Sequence, residues 1–329
     1  MTRQNNIALL SLGMLAGLAL VGLVRKHWTK RPLPALNSKK GAALITGASS
    51  GIGAAYARRL AALGYDLILV ARREERLNAL AREVEHHYHL QAEVLVADLA
   101  DSADVTKVEQ RLRALDSLTI LVNNAGFGTW RQFLEADLQT QLNIIAVNVG
   151  ALVRLTHAAL PGMTARGTGA VINVSSIAPH FHAISNVVYG ATKSYVTTFS
   201  KTLGAELAST GVRVQALCPG FTVTEFHDTP EFEAFDRRDI PKFLWMTAED
   251  VVEESLQALK TDQVVVVPGL QNRLLVGAMK TPGLNQLLLK IINWQIRTQN
   301  WMLTPPLNFV YDFLPYRFAG LRKEKSKPA

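Results

Sequence analysis

The chain has 329 residues and a single cysteine, Cys218, which allows one large α/β domain and excludes an intrachain disulfide framework, in keeping with a reducing compartment. Its formal net charge of +8 is uneven, since residues 1–40 hold seven Lys/Arg and no acid, and residues 273–329 hold nine Lys/Arg against Asp312 and Glu324. Basic ends on an acidic body fit a membrane surface and exclude the basic footprint that a nucleic-acid binder carries on its folded domain.

Residues 7–24 carry no charge. As a helix they would reach about 27 Å, slightly short of a roughly 30 Å hydrocarbon layer, a gap that thinning or snorkelling by Arg25 and Lys26 closes. A cleaved signal peptide is the alternative. The run is long for one and ends in Arg25-Lys26-His27 instead of a small-x-small site, so a retained single-pass anchor is favoured. The basic cluster follows the span, which puts the rest of the chain in the cytoplasm.

Pro32 and Pro34 end the stub, and short apolar runs then alternate with amphipathic ones. Residues 42–45, 67–70, 93–96, 119–122, 170–174, 212–217 and 264–267 read as buried strands separated by helices. This pattern predicts an α/β fold with a doubly wound, seven-stranded, mostly parallel sheet in one domain. The expected division is an anchor and stub at 1–40, a catalytic domain at 41–270 and a helical extension at 271–329. Residues 221–250 break the rhythm, with Phe221, Phe226, Phe232, Phe235, Phe243 and Trp245 among charges and prolines. They follow a strand's carboxyl end, so a lid over a greasy substrate is favoured over a surface loop. Thr247-Ala248-Glu249-Asp250 reads as a capping box with an acid tip. Residues 284–302 are too polar to cross a bilayer; they would lie in its interface or pack as an ordinary helix.

Between the first strand and the next helix stands Thr46-Gly47-Ala48-Ser49-Ser50-Gly51-Ile52-Gly53. A glycine turn of this kind lets backbone amides and a helix N-terminus meet a pyrophosphate. At the carboxyl end of the second strand, Arg72 and Arg73 suit the dianionic 2′-phosphate of NADP, the alternative being charges paired with Glu74 and Glu75. Asp66 has the sequence spacing of a ribose ligand but lies at the wrong end of that strand. Asp98, ending the third strand, would accept the adenine amino group or cap a helix.

Tyr189-Gly190-Ala191-Thr192-Lys193 puts a phenol and an ammonium one helical turn apart. A phenol titrates near pH 10, and the Lys193 charge is expected to lower that value. Together with the glycine run, Asn123-Asn124-Ala125-Gly126, Asn148, Ser176 and Pro219-Gly220-x3-Thr224, these residues resemble the short-chain dehydrogenase/reductase family over roughly residues 40–270. The resemblance implies a Rossmann fold and a hydride-transfer enzyme. It makes Tyr189 the general acid, Ser176 (over its neighbour Ser175) the group that steadies the substrate carbonyl, and Lys193 the holder of the nicotinamide ribose. Asn148 would hold the water through which Lys193 exchanges protons. The implied NADP(H) contacts are Gly47, Ser49, Ser50, Gly51, Ile52, Gly53, Arg72, Arg73, Asp98, Leu99, Asn124, Ala125, Gly126, Tyr189, Lys193, Pro219, Gly220, Thr222 and Thr224. Pairing through the helices carrying Asn148 and Tyr189 would give a homodimer or homotetramer.

One stretch departs from the family pattern. Ala178-Pro179-His180-Phe181-His182 replaces the glycine and proline that many relatives carry before the tyrosine. His180 and His182 are loop histidines that gate or bind substrate or stay exposed, and with no third ligand nearby they do not make a metal site. The histidines of Glu85-His86-His87-Tyr88-His89 read as a solvated helix end. Anchor, basic ends and aromatic lid together point to NADPH-dependent reduction of a ketone on a lipid-like substrate. A long-chain 3-oxoacyl group is the leading candidate and a hydroxysteroid the nearest alternative. A non-catalytic NADP-binding redox sensor is the reading from another class.

Overall fold

Each apolar run forms a strand, and all seven pair in parallel: β1 (Ala42–Thr46), β2 (Asp66–Ala71), β3 (Ala92–Val96), β4 (Leu118–Asn123), β5 (Gly169–Val174), β6 (Val212–Leu217) and β7 (Val265–Val266). The computed structural model describes residues 32–34, 41–181, 187–233, 235–281, 283, 285–286 and 290. The apolar run at 7–24 lies outside the described residues, as does most of 284–302. Strand order is β3-β2-β1-β4-β5-β6-β7, so the chain's direction of travel reverses between β1 and β4. At that point two strands part company at their carboxyl ends and leave a crevice.

Parallel strands covered on both faces need apolar side chains at every position, which is why they read as unbroken runs. Ala43 and Ile45 of β1 pack with Tyr56, Leu60, Leu77 and Leu256 on one face. Leu44 faces the other way with Leu121, Leu155 and Met163. Leu44 and Ile45 are both fully buried, each stabilising the fold by roughly 1.5–3 kcal/mol as an upper estimate.

The helices covering the first face are α1 (Gly51–Ala62), α2 (Glu74–Tyr88) and, later in the chain, Ala248–Leu259. The second face is covered by α3 (Ser102–Arg113) and α4 (Leu138–Ala165), with α5 (Val187–Glu206) running beside β6. By length and composition α4 could cross a membrane, yet half of its most apolar stretch is buried inside the protein. It starts at Asp137, whose carboxylate accepts the Thr140 amide at 2.8 Å, and widens into a π-turn over Ala146–Ala151. Arg154 of α4 holds Glu109 of α3 at 2.6 Å.

Helix α6 (Ala248–Leu259) is capped by Thr247, which accepts the Asp250 amide and donates to its carboxylate. The acid-tipped box is thus closed hydroxyl to carboxylate, not carboxylate to backbone. Behind it, Tyr56 donates to Ser255 and Ser255 to Gln215, both at 2.5 Å, in a buried chain that ties α1, α6 and β6 together. Helix α7 (Leu270–Lys280) follows β7. Ahead of β1, Leu33 is buried, and the Pro32 and Pro34 carbonyls accept from Arg213 (2.8 Å) and Tyr65 (2.6 Å) at the amino-terminal ends of β6 and β2. Cys218 is buried just past β6, and the 85–89 segment is an exposed helix end with His89 left-handed at its cap.

Candidate active site

The carboxyl ends of β1, β2, β4, β5 and β6 open on one cavity of about 1150 Å³. Its floor is the glycine turn. Gly47 and Gly51 have φ of 66° and 53°, a region that side chains rarely adopt. A methyl group on Gly47 would also lie 2.8 Å from the Asn124 amide. The turn is locked from behind, because Thr46 Oγ1 accepts the Asn124 and Ala125 amides at 3.0 and 2.9 Å and donates to the Val122 carbonyl. Asn124 returns its side-chain amide to the Thr46 carbonyl at 2.9 Å. Helix α1 then begins at Gly51, and no side chain caps it, so its N-terminal amides and dipole are available to an anion such as a pyrophosphate.

Ser50, which could have capped α1, accepts a hydrogen bond from Arg73 instead (2.7 Å), as does Ser49 (2.9 and 3.1 Å). Arg73 also meets Glu225 at 2.8 Å, and Arg76, one turn along α2, meets the same carboxylate at 2.7 Å. Arg72 is largely exposed and 3.8 Å from Asp98. The arginines therefore pair with Glu225 and Asp98, not with their neighbours Glu74 and Glu75. Asp98 accepts the Ala100 amide at 3.0 Å, and it is Asp101 that caps α3. This donor set, with two serine hydroxyls and guanidiniums beside a glycine turn, fits a nucleotide bearing an extra phosphate.

Ser176, Tyr189 and Lys193 all line the cavity. Ser176 accepts the Ala178 amide at 3.0 Å. Ser175, the competing serine, binds the Lys193 carbonyl and Thr197 at 2.7 Å each. Its hydroxyl thus serves α5. Lys193 is buried, its ammonium donates to the Val174 carbonyl at 2.8 Å, and it lies 5.6 Å from the centre of the Tyr189 ring. Burial pushes its pKa down to about 8.

Tyr189 departs from expectation. Burial pushes the phenol up to about 12, with the Ser176 hydroxyl pulling back and Cys218 pushing further. The expected lowering by Lys193 is absent. Desolvation is the largest effect on the phenol, and the ammonium is turned to a carbonyl and the ring face.

Two expected residues lie off the cavity wall. Gly53 packs behind it, where a side chain would collide with the Gly47 carbonyl and the Asn124 amide, so it lets the helix approach the strand closely. Asn148, in the π-turn, joins Phe127 through both its amide nitrogen (3.1 Å) and oxygen (3.2 Å) and also donates to Thr192 (3.1 Å). Its oxygen and the Lys193 ammonium both crowd Gly126, where a side chain would lie 2.9 and 3.3 Å from them. The remaining expected residues all line the cavity.

Beyond Tyr189 the wall becomes apolar. Residues 221–246 form a loop closed at its neck by Val223 to Met246 (2.9 Å) and Met246 to Phe221 (3.0 Å). Inside it Phe221, Phe226, His227, Phe232, Phe235 and Trp245 stack ring on ring, and Trp130 joins from the β4 side. Phe226 reaches Tyr189 at 5.7 Å between centroids. Phe243, grouped with these rings in the sequence, is 70% exposed and outside the cluster. His227 sits within it, its pKa held down to about 4 mainly by burial. Phe181 lines the cavity, whereas His180 is half-buried and off the wall; His182 lies outside the described residues. No group of His, Cys, Asp or Glu suited to a metal occurs among the described residues.

Sequence reasoning missed Arg76, Glu225, Trp130 and Leu275, all on the cavity wall. Arg76 was findable as the i+3 neighbour of Arg73 on one helix face. Leu275 comes from α7, and nothing local marks it.

Residues 41–231 match the short chain dehydrogenase family. Sulfoacetaldehyde reductase 2 of Chromohalobacter salexigens is 39% identical over 219 residues, 64% of this chain and 84% of that protein. Very-long-chain 3-oxoacyl-CoA reductase of Anas platyrhynchos is 33% identical over 214 residues, covering 63% and 68%. A solved short-chain dehydrogenase from Sphingobium yanoikuyae in complex with NADPH superposes with a TM-score of 0.67 at 36% identity, over 76% of this chain and 95% of that one. With the parallel sheet, the glycine turn and the Ser176, Tyr189 and Lys193 cluster in one crevice, the chain belongs to the short-chain dehydrogenase family.

Proposed function

We propose that this protein reduces the ketone of a lipid-like substrate, a long-chain 3-oxoacyl group, to a secondary alcohol at a membrane. It is an NADP-dependent oxidoreductase acting on alcohol and ketone groups. The observation that carries the finer reading is the wall beyond Tyr189, where Phe181, Phe226, Phe232, Ile240, Leu244 and Leu275 face the cavity. One relative named for very-long-chain 3-oxoacyl-CoA reduction agrees with it.

The coenzyme supplies hydride. The glycine turn and the α1 N-terminus would hold its pyrophosphate, Arg72 and Arg73 its 2′-phosphate, and Asp98 and Leu99 its adenine. Asn124, Ala125 and Gly126 would flank the riboses, and Pro219, Gly220, Thr222 and Thr224 the nicotinamide. Tyr189 then protonates the carbonyl oxygen as negative charge builds there, and the burial that raises its pKa keeps it loaded as an acid at neutral pH. Ser176 steadies the same oxygen through its hydroxyl. Lys193, with a pKa near 8, is suited to return a proton to Tyr189. Asn148 fixes Phe127 and Thr192 around Lys193, the positioning part of the proton path.

The apolar run at 7–24 would anchor the enzyme in a single pass with its domain in the cytoplasm. Exposed Leu138, Leu142 and Ile145 on α4 and Tyr195 on α5 support pairing of two copies through these helices.

The test is turnover by the full-length protein in detergent, followed as loss of NADPH absorbance with 3-oxoacyl thioesters of increasing length, oxosteroids, and small polar aldehydes. Rates that climb with acyl length support the reading. Steroid turnover alone transfers it to a hydroxysteroid dehydrogenase, turnover of small polar aldehydes alone overturns the lipid assignment, and NADPH binding without any turnover favours the redox sensor.

A further inference from the structure

The Glu225 carboxylate joins the coenzyme end of the cavity to its substrate end. It receives one hydrogen bond from Arg73 and two from Arg76, and these guanidiniums hold it well ionised. An internal anion thus sits on the same cations that a 2′-phosphate would need. The next residue, Phe226, leans on Tyr189, and His227 after it stacks at 4.6 Å on Phe235 within the aromatic loop. Glu225, Phe226 and His227 form one turn of 3₁₀ helix, so they move together.

There is also somewhere for the carboxylate to go. Glu225, Arg76, Thr224 and Asp228 border both the main cavity and a second hollow of about 400 Å³, whose far side carries Arg58, Arg237 and Glu249. Arg237 donates to the Thr224 carbonyl and to Asp228. Its guanidinium lies over the Trp245 ring at 5.6 Å, and its buried Nε has no partner among the described residues.

Resting on the coenzyme reading above, we infer that Glu225 is a two-position latch: the coenzyme's 2′-phosphate displaces it from Arg73 and Arg76, it turns into the hollow beside Arg237, and Phe226 is drawn off Tyr189. Glu225 is then a specificity-determining residue. A nucleotide without the 2′-phosphate can occupy the glycine turn but leaves Glu225 on the arginines and Phe226 against Tyr189. Arg76 becomes part of the phosphate site. The discrimination has two sources: attraction of the phosphate to the arginines, and release of a loop that only a competing anion achieves.

The experiment uses the full-length protein, with calorimetric titration of adenosine 2′,5′-diphosphate and of ordinary 5′-ADP, and hydrogen exchange of residues 221–233 and 235–246. Glu225→Gln should bind the 2′-phosphorylated probe about fivefold tighter, the size expected for removing a part-exposed ionic competitor, with 5′-ADP unchanged. Arg76→Ala should weaken only the 2′-phosphorylated probe. In the unmodified protein that probe, and not 5′-ADP, should speed exchange in the loop, and Glu225→Gln should exchange at the faster rate without any probe. Unchanged or weaker binding by Glu225→Gln, or a loop that is unaffected or slowed by the 2′-phosphorylated probe, overturns the latch. The exchange result stands alone if the variant misfolds. NADPH binding with these failures removes the latch only; failure of NADPH itself to bind removes the coenzyme reading with it.

Discussion

Replacing Thr46 by valine keeps the shape of a buried side chain and removes one oxygen. That oxygen accepts two backbone amides, from Asn124 and Ala125, and donates a longer bond to the Val122 carbonyl at 3.3 Å. A buried amide left without a partner costs about 1–3 kcal/mol. The Asn124 amide keeps the Val122 carbonyl at 3.1 Å, so only the half-buried Ala125 amide is orphaned, the low end applies to it, and the donated bond adds little. The expected loss is about 1–2 kcal/mol, a sizeable part of the roughly 5–15 kcal/mol that a domain has. Urea unfolding followed by circular dichroism should show a lower midpoint at unchanged slope. Thr46→Ser keeps the hydroxyl and drops one methyl, so it should cost about 1 kcal/mol. NADPH affinity should fall in the valine variant, whose Asn124–Gly126 wall loses its register, and hold in the serine variant. A valine variant within about 0.5 kcal/mol of the parent, or a serine variant as damaged as the valine one, would refute the claim that this hydroxyl locks the turn.

Tyr189→Phe should lower kcat by about 10²–10⁴-fold with NADPH affinity unchanged in equilibrium titration; equal losses in both would mean a structural role. Asn148→Ala removes the partner of the Phe127 amide and should cost about 1–3 kcal/mol in urea unfolding; it should also displace the pH profile of kcat, which a purely structural role would leave in place. Lys193, with a pKa near 8 when folded and an ordinary value of 10.5, binds fewer protons in the folded than in the unfolded state above about pH 8. Stability therefore rises with pH through that range. Relative to Lys193→Met, the parent should gain up to about 1.4 kcal/mol per pH unit between pH 8 and 9. That window lies below the range where the raised tyrosines begin to act in the opposite sense, and a flat difference would sink the assignment of a desolvated amine.

The sheet was legible because strands covered on both faces announce themselves as apolar runs; even β7, only Val265–Val266, lies inside the run at 264–267. The Ser176, Tyr189 and Lys193 cluster was legible because chemistry fixes their types and a helical turn fixes one spacing. What was not legible depends on distance along the chain or on depth. Glu225 meets Arg76 across 149 residues, and no local pattern announces such a pair. Asn148 was named from the sequence, but the π-turn that holds it, a local slip in helix register, has no composition of its own. The Tyr189 phenol was expected to fall because its neighbour in sequence is a cation. It rises because solvent exclusion, a property of the folded site, is the larger effect.

Pro32 and Pro34 grip the domain at the amino-terminal edge of the sheet, and the cavity opens at the carboxyl-terminal edge. Whatever precedes residue 32 leaves from the side opposite the mouth. Only seven residues separate Pro32 from Val24, a reach of at most about 28 Å over the whole span. Were residues 7–24 to anchor the enzyme, that reach would tether the amino-terminal edge of the sheet close to the bilayer, with the mouth and Tyr189 at the opposite edge.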